Sequence, residues 1–231
     1  MRGQGGGAHR VKLAIIGGTG REGPGLALRW AAAGLEVIIG SRQQEKAQGV
    51  AAELNRALGR EAIGGMVNRE AAAAADLVVM TVPFSAHVDT LREIQEGVRG
   101  KILVDVSVPL DPSNPKRLKM PEAGSAVEEA QALLGRETRV VGALQNISSH
   151  HLKDPSKSID SDVLVCGDDE QARTEVRQLV GLLGLRALDC GPAEQARVIE
   201  GITALLMELN ARYKVRGAGI RITGIKEPAR P

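Results

Sequence analysis

The sequence is nearly devoid of aromatic residues, with one Trp, one Tyr and one Phe in 231 residues. That scarcity removes the stacking platforms on which single-stranded nucleic acid is bound. It also leaves the core to Ala, Val, Leu and Ile, within a hydrophobic content of 43%. Only two cysteines occur, Cys166 and Cys190, far apart and without a C-x-x-C spacing. They suggest neither a disulfide framework nor a metal or redox motif, and reduced thiols in the cytoplasm are the expectation. No excess of one charge exists: 30 basic against 28 acidic residues leave +2. Such a balance offers no electrostatic footprint for nucleic acid or an anionic membrane. No apolar run approaches the roughly 20 residues of a membrane span. The first ten residues are Gly-rich and polar, without the apolar centre of a signal peptide, and read as a disordered tail.

What is present is a glycine-rich turn in an informative place. An apolar run over residues 11–16 leads into Gly18-Thr19-Gly20-Arg21-Glu22-Gly23, and a helix-like stretch over 24–33 follows. This is G-x-G-x-x-G between a strand and a helix, the setting in which the motif binds dinucleotides. The first glycine permits the turn, the second admits a pyrophosphate, and the third lets helix and strand pack closely. The helix start presents free N–H groups to the phosphates.

The next apolar run, residues 36–40, ends in Ser41-Arg42, with Lys46 one turn later. Sites for NAD carry an Asp or Glu here, about 20 residues past the glycines. A hydroxyl, a guanidinium and an ammonium suit a 2′-phosphate instead, so the pattern predicts NADP(H). The competing reading makes Arg42 and Lys46 solvated charges at a helix start.

Strand-like and helix-like runs alternate along the chain, which predicts an α/β fold: a Rossmann-type, doubly wound, mostly parallel sheet with a small C-terminal α/β extension. Helices are expected over 41–58, 88–98, 125–134, 170–183 and 193–213, and strands over 76–82, 101–106, 139–144, 162–166 and 185–189. Residues 111–121, with several prolines and Lys116, Arg117 and Lys119, read as a loop. Gly167-Asp168-Asp169 reads as a turn capping a helix. The expected division is a tail over 1–10, an NADP-binding domain over 11–150 and a small domain over 151–231, which contributes to a substrate cleft and to dimer contacts.

Ligands of such sheets bind at the carboxyl ends of the strands. Val82, Pro83 and Phe84 lie at one such end, where the nicotinamide or its ribose would pass. Ala143, Leu144 and Asn146 lie at another, near the nicotinamide or a second substrate. His87 could donate a proton to a substrate or bond its oxygen; the alternative is a surface histidine. No nucleophile motif occurs, so no catalytic side chain is assigned and the chemistry is left to the cofactor. His150-His151 lacks further ligands at suitable spacing, and no metal is expected.

Several motifs together resemble the NADPH-dependent reductases of the deazaflavin coenzyme F420. They are Ile16-Gly17-Gly18-Thr19-Gly20-Arg21-Glu22-Gly23, Gly40-Ser41-Arg42 with Lys46, Val82-Pro83, and Val165-Cys166-Gly167-Asp168-Asp169. Leu188-Asp189-Cys190-Gly191-Pro192 and Gly217-Ala218-Gly219-Ile220 extend the likeness over nearly the whole chain. The resemblance implies a homodimer and hydride exchange between the nicotinamide and coenzyme F420 as second substrate, with two flat rings stacked at roughly 3–3.5 Å. It also places the acidic tail of that substrate among basic side chains, with Lys116, Arg117 and Lys119 as candidates. One departure falls at Gln145-Asn146, where archaeal members carry a His; the broader superfamily uses an Asn there.

Two other readings compete. One is an NADPH-dependent reductase of another small C=N or C=O substrate on the same scaffold, as in the pyrroline-carboxylate reductases. Those enzymes have an all-helical C-terminal domain, whereas residues 162–213 read strand–helix–strand–helix. The other is a non-catalytic NADPH-sensing module that presents the apolar face of the last helix to a partner.

Overall fold

The computed structural model describes residues 11–225. The expected N-terminal tail and residues 226–231 lie outside the described residues. The order of elements is β1 (Lys12–Ile16), α1 (Gly23–Ala32), β2 (Glu36–Ser41), α2 (Gln44–Leu58), β3 (Ile63–Val67), α3 (Asn68–Ala74), β4 (Leu77–Met80), α4 (His87–Ile94) and β5 (Ile102–Asp105). It continues with β6 (Leu110–Asp111), β7 (Asn114–Leu118), α5 (Ala126–Leu134), β8 (Arg139–Gly142), α6 (Ser149–Leu152), β9 (Asp162–Val165), α7 (Glu170–Gly181), β10 (Arg186–Asp189) and α8 (Ala196–Tyr213).

Six strands form one sheet in the order β3-β2-β1-β4-β5-β8. Every neighbouring pair is parallel. The central strands β1, β4 and β5 are apolar at almost every position because helices cover both faces of the sheet. The direction of winding reverses between β1 and β4, which opens a crevice at their carboxyl ends.

The C-terminal part adds a two-stranded parallel sheet, β10-β9. It joins the edge of the main sheet through an antiparallel bridge, with Gly142 N donating to Cys166 O at 2.8 Å and Cys166 N to Gly142 O at 3.0 Å. One core runs through both parts: Leu13, Leu26 and Trp30 share it with Val163, Val176 and Leu179. The single Trp serves as a rivet, fully buried on α1 and donating from Nε1 to Leu179 O on α7 at 2.9 Å. Arg29, one position earlier, fastens the connecting segment. Its buried guanidinium donates to the backbone carbonyls of His151, Leu152, Asp154 and Lys157.

The expected helix starts are visible in their caps. Asp169 Oδ1 accepts from Ala172 N at 2.7 Å at the start of α7. Ser125 Oγ accepts from Glu128 N and donates to Glu128 Oε2 at the start of α5. Three expectations need correction. Residues 111–121 are not a plain loop: β6 and β7 pair as an antiparallel hairpin, Leu110 opposite Leu118. The second helix begins at Gln44 rather than Ser41, since Ser41 closes β2 and its Oγ accepts from Gln43 N. Finally, β3 and α3 supply a strand and a helix in a region where none was assigned.

Candidate functional site

A cavity of about 720 Å³ opens at the carboxyl ends of the main sheet. One wall is the glycine turn, through Gly17, Gly20, Arg21 and Glu22. The turn is stabilised by Gly18 N, which lies within hydrogen-bond distance of both Ile15 O and Gly40 O. The left-handed residue is Gly17, at φ 69°, one position before the motif begins. Gly23 allows the close packing expected of the third glycine: a Cβ there would lie 2.4 Å from Gly18 Cα. Gly18, Thr19 and Gly23 therefore shape the turn without lining the cavity.

A second wall is the end of β4, with Val82, Pro83 and Phe84 as expected. Val106 and Ser107, just past β5, continue it. The floor is Gln145, Asn146 and Ile147. Ala143 and Leu144, also expected here, are buried beneath this floor and do not line it. Leu144 holds a left-handed backbone at φ 72°, a conformation that costs a non-glycine residue about 1–2 kcal/mol. Its strain accompanies a sharp turn, closed by Ile147 N donating to Leu144 O at 3.0 Å, which carries Gln145 and Asn146 to the cavity.

Both of those amides are pinned by their nitrogens. Gln145 Nε2 donates to Asp105 O at 3.0 Å, and Asn146 Nδ2 donates to Asp162 O at 2.7 Å. Their oxygens, Gln145 Oε1 and Asn146 Oδ1, are buried and have no hydrogen-bond partner. Turning either amide over would set an oxygen against a carbonyl, so the arrangement leaves two acceptors for a ligand's N–H or O–H groups.

The remaining wall was not foreseen from the sequence. Thr203, Leu206, Met207 and Asn210 of α8 face the cavity, and the hairpin adds Leu110, Asp111 and Pro115. Thr203 Oγ1 donates to Gln145 O at 2.8 Å, tying the last helix to the floor. Lys116, Arg117 and Lys119 do not line the cavity, and Lys116 instead pairs with Glu208 at 2.9 Å.

Ser41, Arg42 and Lys46 lie at the end of β2 and the start of α2, outside this cavity. Ser41 is buried, while Arg42 and Lys46 are exposed. Among the described residues neither cation has a carboxylate partner. Gly40 O accepts from Gly18 N, so the end of β2 adjoins the glycine turn.

His87 does not reach the cavity. It is completely buried, and both ring nitrogens are occupied: Nδ1 by Glu129 Oε2 at 2.8 Å, Nε2 by Asp105 Oδ2 at 2.7 Å. Neither a substrate contact nor a surface position describes it. Burial acts to lower its pKa, but the hydrogen bonds and charges of Asp105 and Glu129 outweigh burial and raise it. Glu200 is packed nearby, fully buried, and accepts from Ala126 N and Val127 N at the start of α5. Burial pushes its carboxyl up to about 8.

Sheet order, glycine turn and a crevice at the strand ends define a Rossmann-type α/β protein with a cleft of the kind that holds dinucleotides. Comparison with known proteins narrows this class. Residues 12–109 match the family model described as NADP oxidoreductase, coenzyme F420-dependent. The F420-dependent NADP reductase of Methanothermobacter thermautotrophicus is 45% identical, over 94% of this chain and 97% of that protein. The enzyme of the same name from Methanocaldococcus jannaschii is 42% identical over 94% and 100%. The crystal structure of a candidate F420-dependent NADP reductase from Arthrobacter sp. FB24 superposes with a TM-score of 0.79 and 29% identity, covering 92% and 99% of the two chains. The chain belongs to the coenzyme F420-dependent NADP oxidoreductase family.

Proposed function

We propose that the protein transfers a hydride between NADP(H) and the deazaflavin coenzyme F420. The reading rests on family membership over nearly the full length, and one structural observation carries it to the site. A single cavity joins the glycine turn to a floor with two unpartnered buried acceptors.

The residues present suit a dinucleotide. Gly17 and Gly20 bring backbone without side chains to the cavity wall, and the start of α1 follows. Arg42 and Lys46, with Ser41, would hold the 2′-phosphate. Val82, Pro83 and Phe84 would flank the nicotinamide ribose or ring. Asn146 and Gln145 would accept from carboxamide or deazaflavin N–H groups. The nicotinamide supplies the hydride chemistry when bound. The protein's part is to orient the rings, exclude water and present fixed dipoles. Leu206, Met207 and Val106 supply apolar surface against which a flat ring can lie. No side-chain acid, base or nucleophile is assigned to the hydride step.

The exposed face of α8 supports a homodimer. Val198, Leu205 and Tyr213 are 63%, 57% and 69% exposed, and Ile202 and Leu209 fall between them at helical spacing. That apolar stripe backs the helix whose other side lines the cavity, so pairing there would brace the site. The free cysteines suit a cytoplasmic location, and no described helix is long and apolar enough to cross a membrane. Purified protein mixed with NADPH and oxidised F420 should bleach the deazaflavin absorbance band. No bleaching with either dinucleotide, despite tight NADPH binding, would contradict the proposed acceptor.

A further inference from the structure

Glu22 is the one acidic residue of the glycine turn, where it lines the cavity beside Gly20 and Arg21. It precedes α1 in the N-cap position but makes no side-chain capping bond. Among the described residues its carboxyl has no hydrogen-bond or ion-pair partner. A carboxylate at a helix start is ordinarily favoured in its charged form. Here removal of the half-buried side chain from water dominates and pushes the group up to about 7.

We propose that Glu22 is a proton-linked residue of the nucleotide site, taking up a proton when a dinucleotide occupies the glycine turn. The inference rests on the dinucleotide part of the functional reading and not on the identity of the hydride acceptor. A pyrophosphate at this turn brings negative charge beside the carboxyl, and like charges at close range disfavour ionisation. The residues lining the cavity offer little compensation. Thr81, Val82, Pro83 and Phe84 on the β4 side are uncharged, as are Gln145, Asn146, Ile147, Ser148 and Ser149 on the floor. Thr203, Leu206, Met207 and Asn210 on α8 are also uncharged. The charged side chains sharing the cavity are Arg21, which is exposed on the same turn, and Asp111, which is acidic. Arg42 and Lys46, at the end of β2 that adjoins the turn through Gly18 N and Gly40 O, lie outside the cavity and are exposed to solvent that screens them. The free protein therefore holds Glu22 partly ionised near neutral pH, and the occupied site holds it protonated.

The sign of the linkage follows. A ligand that raises the pKa of a group binds best where that group is already protonated. Dinucleotide affinity is full below about pH 6. It weakens as pH rises through about 7, with a slope approaching tenfold per pH unit above that value.

Calorimetric titration of the full chain with NADPH and with NADH, at pH 7.5 in two buffers of different ionisation enthalpy, reads this directly. The 2′-phosphate itself titrates near pH 6, so NADH separates its contribution from that of Glu22. The expected result is uptake of most of one proton with both dinucleotides, and a dissociation constant for NADH that rises severalfold from pH 7.5 to 8.5. Glu22→Gln should bind both dinucleotides with no uptake attributable to this site and should lose that pH slope. The inference is overturned by tight binding without proton uptake, by uptake with NADPH alone, or by uptake that persists in Glu22→Gln. Absence of binding at every pH would instead defeat the dinucleotide reading, and this inference with it.

Discussion

His87 Nε2 lies 2.7 Å from Asp105 Oδ2, and both side chains are completely shielded from solvent. The other ring nitrogen is 2.8 Å from Glu129. A neutral imidazole has only one N–H, so two carboxylate partners are satisfied together by the imidazolium. The pair also shapes the site, because Asp105 Oδ1 accepts from Ser107 N and Asp105 O from Gln145 Nε2. Ser107 and Gln145 both line the cavity.

This relationship predicts a pH dependence of stability. The pKa of His87 is raised in the folded protein, so its stabilising contribution is complete below its ordinary value near 6.5. It is lost as pH rises through the elevated folded value. Denaturant midpoints of the wild type should fall along that alkaline limb, and those of His87→Gln should fall less. His87→Ala leaves Asp105 buried without its charge partner and is expected to cost about 3–5 kcal/mol. Chemical denaturation at fixed pH measures that cost.

Glu200 gives a prediction of the opposite kind. Its raised pKa, about 8, means that folding works against ionisation of this carboxyl. The cost sets in above its ordinary value near 4.5 and grows until pH passes about 8. Gln at this position carries no charge to bury but has one acceptor oxygen, so it keeps only one of the two bonds that the carboxyl accepts from Ala126 N at Oε2 and Val127 N at Oε1. Glu200→Gln should be less stable than the wild type near pH 4.5, where the lost bond is not offset, and should gain on it progressively towards pH 8. A thermal melt series over that range decides the matter, and a constant difference at all pH values would count against the prediction.

Arg42 should discriminate between cofactors. Hydrogen bonds to charged groups contribute about 1.5–3 kcal/mol, which corresponds to roughly 10- to 100-fold in affinity. Arg42→Ala is therefore expected to weaken NADPH by that factor and to leave NADH nearly unchanged. Fluorescence titration of the two reduced dinucleotides provides the comparison; equal losses would refute a 2′-phosphate contact.

The α8 stripe predicts an assembly. Leu205 is 57% exposed at its centre, and Leu205→Glu adds a charge to each copy of a pairing face. Sedimentation should show a dimer for the wild type and a shift towards monomer for the variant, with the melting temperature of the folded chain little altered. A wild type that sediments as a monomer would remove the proposal.

Much of this architecture could be read from the sequence, because its signals are local. The glycine turn, the apolar runs and the capping residues Ser125 and Asp169 each act within a few positions, and the structure places them as their chemistry requires. What escaped reading depends on distance or on an ambiguous composition. The two adjacent glycines Gly64 and Gly65 hide β3 by interrupting its apolar pattern, and the alanine-rich α3 carries no clear periodicity. Pro112 and Pro115 suggest a loop, yet a two-stranded hairpin tolerates proline on its unpaired side. The α8 wall escapes the sequence because the apolar face read there, Val198, Ile202, Leu205, Leu206, Leu209 and Tyr213, mixes exposed positions with Leu206, which lines the cavity beside the polar Thr203 and Asn210. The His87 cluster brings together residues 18 and 42 positions apart, and no spacing rule announces it. Gln145 and Asn146 were legible as polar residues at a strand end. Their unpartnered oxygens emerge only with the fold.

The most direct test of the central claim follows the hydride itself. NADPH deuterated at nicotinamide C4, on each face in turn, is incubated with the protein and oxidised F420 in ordinary water, and the reduced deazaflavin is analysed by mass spectrometry. The account predicts that one of the two labelled forms delivers a single deuterium to the deazaflavin ring. Reduced product carrying hydrogen from water with both forms, or no reduced product at all, would contradict it.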